Sequence, residues 1–141
     1  MTMPSSPAPR RAPAAQAPHR QLAAALAGLH RTLLNAQAIG HPAAQNPYAL
    51  LQAVMHDPAF AWLRAFSDLM VKIDEAGAKG ATPSPEAMQG FLLAATALAE
   101  GGAEAPEAHV KLRGFLLRRE VATAHAALRE TLAQLRASHG Q

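Results

Sequence analysis

Alanine supplies half of the apolar side chains in this chain, 35 of 70, and that ratio narrows the fold before any motif is considered. Leucine leads the other half with 18, while valine and isoleucine together number six and the aromatics six. Sheets are built from β-branched and aromatic side chains that pack on a pleated surface, and there are too few of either for a sandwich, a barrel or an α/β sheet. Alanine, leucine, glutamine and arginine are strong helix formers. The expected fold is therefore all-α: an antiparallel up-and-down four-helix bundle with a short additional helix and a disordered N-terminal tail. At 141 residues the chain is sized for one domain. Residues 1–17 form the tail and 18–141 the bundle.

The periodicity places the elements. Five prolines (Pro4, Pro7, Pro9, Pro13 and Pro18) punctuate the start, and no large apolar side chain follows Met3 until Leu22. Such a stretch reads as an extended or disordered leader. From Pro18, a helix to Ile39 carries Leu22, Leu26, Leu29 and Leu33 on one face, at the +4, +3, +4 spacing of an amphipathic helix. Asn46 and Pro47 open a short helix to His56, and Asp57 and Pro58 open the next, which runs to residue 76. Trp62, Phe66, Leu69 and Ile73 line that aromatic helix. Ser84 and Pro85 start a helix to residue 100, and a final helix over 106–138 is expected as one rod, with Gly114 the place for a bend. Gly28, Gly90 and Gly114 fall inside these helices, where glycine costs roughly 1 kcal/mol relative to alanine. Either the sites tolerate that cost or a neighbouring helix presses against the backbone there.

Charge is uneven. Residues 1–56 hold four arginines (10, 11, 20 and 31) and no acid, whereas 57–141 hold nine basic and ten acidic residues. The basic balance belongs to the N-terminal part, and the body is close to neutral. Basicity alone is therefore no argument for nucleic-acid binding. The chain has no cysteine, which removes disulfides, thiolate metal sites and cysteine nucleophiles. No apolar run is long enough to span a membrane, no secretory h-region follows the early arginines, and a cytoplasmic location is the default expectation.

Seven histidines invite a search for chemistry. His19, His41 and His139 lie in tail or loop and read as solvated, while His56 suits a helix end, where it can meet the last carbonyls. No Glu-x-x-His pair or His-Glu-x-x-His occurs, so no metal site and no cofactor are expected. The segment His109 to Gly114 does not keep the His-x-x-Lys-Gly spacing of phosphotransfer histidines, because its lysine comes two residues on and its glycine five. No Gly-x-Ser-x-Gly elbow, dinucleotide fingerprint or phosphate loop is present, and no catalytic residue is assigned.

Two sets of residues remain as candidates. On a straight final helix at about 100° per residue, Lys111, Arg118, His125, Arg129 and Arg136 fall within a sector of about 40°. That ribbon runs beside the apolar stripe of Val110, Leu117, Val121, Leu128 and Leu135. It either covers the edge of the seam with long basic stems or meets an anionic or protein partner. Tyr48, His56, Trp62 and Phe66 either fill the core or border a slot for a small apolar ligand. The leading expectation is a non-catalytic interaction or scaffold module that forms a homodimer or docks on a protein partner. One alternative is a small-ligand-binding or enzymatic bundle with its site near the aromatic helix. The other is weak binding of nucleic acid or another polyanion through the tail and the ribbon, which the modest charge disfavours.

Overall fold

The computed structural model describes residues 16–102 and 106–139; the expected tail over 1–17 lies almost wholly outside them. Among the described residues there are six α-helices: α1 (Pro18–Ala38), α2 (Pro47–His56), α3 (Arg64–Ala76), α4 (Pro85–Glu100), α5 (Pro106–Arg113) and α6 (Arg119–His139). They pack as a helical bundle, with α1 against α3 and α6, and α4 against α3, α5 and α6. No helix among the described residues is long and apolar enough to cross a membrane.

The leucine stripe of α1 is the centre of the core, with Leu22, Leu26, Leu29 and Leu33 all fully buried. Burial on this scale stabilises by roughly 1.5–3 kcal/mol per large side chain. The starts of the helices follow local chemistry. Asn46 Oδ1 accepts hydrogen bonds from the Tyr48 and Ala49 amides, at 2.9 and 3.1 Å. Ser84 Oγ accepts from the Ala87 amide at 3.0 Å, and Asp57 Oδ1 from the Ala59 amide at 2.9 Å.

Two elements differ from expectation. Residues Pro58–Leu63 form a tighter 3₁₀ turn instead of the first turns of an α-helix. At about 120° per residue, Phe60 and Leu63 share one side and Trp62 stands only a third of a turn away. All three can then enter the core, and all three are buried.

The expected final rod is also broken, into α5 and α6, by a segment at 114–118 whose amides bond three residues back: Gly114 to Lys111 O and Phe115 to Leu112 O. Gly114 is where the rod yields, and the cause lies across the molecule. Phe115 turns in to stack on Trp62, with ring centroids 5.9 Å apart and an interplanar angle of 9°. The apolar register is reset by the break. Val121, Leu128, Leu132 and Leu135 of α6 are buried, but on α5 the buried positions are Ala108 and Leu112, leaving Val110 67% and Leu117 100% exposed.

Close backbone packing does not explain Gly28 or Gly90, since a Cβ at either would meet nothing within 4 Å. At Gly114 it would touch only the Lys111 carbonyl of its own turn. Gly77, at the end of α3, packs closely on another element: a Cβ there would lie 2.5 Å from His19 Nε2, so the ring would have to shift to admit a side chain.

Candidate functional site

The four residues expected around a ligand slot are separated by the fold. Tyr48 is 71% exposed and His56 is exposed at the end of α2. Trp62 and Phe66 are buried, meeting edge to face at 6.3 Å and 82°. Trp62 Nε1 donates to Gln37 Oε1 at 3.0 Å, so its one polar atom is satisfied inside the core. None of the four is among the residues lining the clefts described below.

The basic ribbon is interrupted by the break, and its α6 portion grips α4. His125 Nε2 donates to Ala99 O at 2.8 Å. Arg129 Nε lies 3.5 Å from Glu100 Oε2, and Arg136 Nη1 donates to Thr96 Oγ1 at 2.8 Å. These residues fasten the outer edge of a buried seam. Arg118 lies in the break, its guanidinium 6.0 Å from the centroid of the Phe115 ring, and Lys111 is exposed on α5.

Two histidines expected in solvent are held by the protein. His41 Nδ1 accepts from the Ala43 amide at 3.0 Å, so Nε2 carries the proton and donates to Asp57 Oδ2 at 3.0 Å. The Ala59 amide and then the His41 ring hold the Asp57 carboxyl below the usual aspartate range. His19, in the first turn of α1, is 6% exposed, and its Nε2 has no hydrogen-bond partner among the described residues. The side chain of His139 lies outside the described residues.

His19 stands in the wall of two cavities. The larger cleft, about 410 Å³, has an apolar surface from Pro18, Pro83, Pro85, Met88 and Leu135, with His19, Thr82 and Ser138 as its polar members. On the other side, a cavity of about 70 Å³ is bounded by His19, Arg20, Asp74 and Gly77 among others. The first turn of α1 adds its own electrostatics. Ala17 offers no side-chain cap and the turn holds no acid, so the positive end of the α1 dipole lies beside the larger cleft, with Asp74 on the side of the smaller cavity.

A third cleft, about 260 Å³, lies by the aromatic segment, where His30 meets Met55, Phe60, Arg64 and Asp68. Burial pushes the His30 pKa down, which favours the neutral imidazole. The Arg64 guanidinium is already engaged with the Met55 carbonyl. Among the described residues, no group of three or more His, Cys, Asp or Glu is placed to hold a metal ion.

Sequence reasoning missed His19 because its burial depends on Gly77, far along the chain. The available signal was the proline–histidine start of α1 combined with a glycine directly after α3. Comparison of the chain with family models, with characterised proteins and with solved structures finds no match.

Proposed function

We propose that this protein is a small-ligand-binding helical bundle whose site is the cleft between the start of α1, the entry to α4 and the end of α6. The observation that carries the reading is the cleft of about 410 Å³, walled by Pro18, Pro83, Pro85, Met88 and Leu135 with His19, Thr82 and Ser138 as its polar members; the unpartnered Nε2 of His19 lies on the Gly77 side of the ring. An apolar cleft with a few polar groups is the common form of a small-molecule site. With the start of α1 and the polar His19, Thr82 and Ser138 in its wall, the cleft suits an apolar molecule ending in a carboxylate or another acceptor.

Decanoate, decanol and decylamine, which share a chain and differ in headgroup, test the reading in thermal unfolding. Decanoate is expected to raise the midpoint most. Thr82→Trp and Ser138→Trp change exposed cleft residues and are expected to abolish the shift without altering the unliganded midpoint. No stabilisation by any of the three, or a shift that survives both substitutions, refutes the reading.

An interaction-module reading draws on a different surface. No residue of α2 is buried, and Tyr48, Leu51 and Met55 expose 71%, 53% and 50% of their surfaces along one side. A concentration-dependent mass that Leu51→Ser abolishes is its expected signature, and a constant monomer mass removes self-association.

A further inference from the structure

We infer that the break between α5 and α6 is a docking surface for anionic lipid, with Leu117 entering the headgroup layer and the surrounding cations meeting lipid phosphates. Leu117 is fully exposed, and Val110, one helical turn before the break, is 67% exposed. The same geometry that withdraws Phe115 onto Trp62 pushes Leu117 out, so its exposure follows from the packing of the segment. Residues 107–120 hold Lys111, Arg113, Arg118 and Arg119 against Glu107 and Glu120 at the two ends, a net excess of two cations, and all four cations are exposed. Neither ion pair formed among the described residues involves them. A protruding apolar side chain in a segment of exposed cations is the pattern of a peripheral lipid contact, in which apolar burial and attraction to anionic headgroups add.

The observations favour lipid over the other anionic partners. Single-stranded nucleic acid is held by aromatic platforms between cations, but the aromatic of this segment, Phe115, is stacked against Trp62. A protein partner would need a complementary pocket for Leu117, whereas a bilayer receives one apolar side chain without shape matching. None of the three clefts described is lined by residues 110–119. The surface also lies at the other end of α6 from the Leu135 cleft, roughly 27 Å away at 1.5 Å per residue, so docking leaves that cleft open.

Flotation of the full chain with vesicles of phosphatidylcholine alone, or of phosphatidylcholine mixed with phosphatidylglycerol, tests the inference. Partition onto the mixed vesicles only is expected, weakening as salt is raised. Leu117→Ser, at a position with no packing to lose, is expected to lower that partition while leaving thermal unfolding unchanged. Arg113→Gln with Arg119→Gln is expected to lower it by roughly fivefold per cation removed. Equal binding to both vesicle types overturns the inference, as does the absence of any binding. Wild-type partition by the break variants also overturns it, and assigns the attraction to the arginines of the N-terminal segment. Binding to a DNA oligonucleotide that displaces the vesicles and is unaffected by Leu117→Ser overturns it in favour of a polyanion surface.

Discussion

Trp62 and His19 are buried to the same degree, each 6% exposed, and their ring nitrogens meet opposite fates. Trp62 donates to Gln37 and is enclosed by Phe66 on its edge and Phe115 on its face. His19 is pressed against Gly77 with Nε2 unpartnered. A net hydrogen bond is worth about 1 kcal/mol, whereas a buried polar atom without one costs roughly 1–3 kcal/mol. The aromatic end of the bundle is thus spent on holding the fold. The buried Nε2 of His19 is a local cost to the fold, set on the Gly77 side of its ring.

The largest effect that can break this contrast is at Trp62. Trp62→Ala is expected to lower stability by about 3–5 kcal/mol, read from the urea midpoint, and also to release Phe115 and loosen the 114–118 segment. Trp62→Phe keeps a ring in place and is expected to cost less, mainly through the lost volume and the donor that Gln37 no longer receives. Equal losses for the two variants would mean that the hydrogen bond, and not the stacking, holds this end.

At the other end the sign depends on which partner changes. Gly77→Ala puts a Cβ into the His19 ring and is expected to cost on the order of 1–3 kcal/mol, as overpacking does. In a His19→Ala background that penalty should vanish, a coupling that a double-mutant cycle measures. His19→Leu removes the orphan nitrogen at similar volume and is expected to raise stability by about 1 kcal/mol, while the decanoate-induced midpoint shift falls. A loss of stability on His19→Leu would place His19 with Trp62 as an ordinary core residue.

The same contrast separates what was legible in the sequence from what was not. The stripe of Leu22, Leu26, Leu29 and Leu33, the caps at Asn46, Asp57 and Ser84, and the helix over 85–100 all rest on contacts within a few residues or on periodicity, and local pattern shows both. Gly114 marked where the final rod would yield, but the full break at 114–118 goes with Phe115 stacking on Trp62, and the burial of His19 goes with the room that Gly77 leaves for its ring. Both causes lie on distant segments that no window of sequence contains. The basic ribbon is divided for a related reason: its geometry assumed a straight rod, and the rod is cut between Lys111 and His125. Of the candidate site, the existence of an apolar cleft in an alanine-padded bundle was foreseeable, but its position was not.

His30 lies between the two extremes, half-buried and with its pKa lowered by that burial. A folded-state pKa below the unfolded one means the unfolded chain takes up the proton first. The contribution of His30 to stability is therefore complete above the ordinary imidazole value of about 6.5, and it is lost as pH falls from there through the folded value. His30→Gln is expected to flatten that part of the curve of urea midpoint against pH, by less than the change produced by His19→Leu. An unchanged slope would mean that the ring is as well solvated in the folded chain as in the unfolded one.

The smallest effect is expected where polar contacts are plentiful and exposed, along the seam between α4 and α6. Arg129 and Glu100 approach to 3.5 Å with side chains 59% and 36% exposed, so water solvates both charges before and after they meet. A double-mutant cycle on Arg129→Gln and Glu100→Gln is expected to give a coupling below about 1 kcal/mol, reduced further by salt. Each group keeps solvent as an alternative partner, which the buried indole of Trp62 does not have. A small coupling leaves the seam to the burial of Val121, Leu128, Leu132 and Leu135. A coupling as large as the cost of Trp62→Phe would mean that polar contacts hold α6 in place, and that exposure is a poor guide to which groups of this bundle matter.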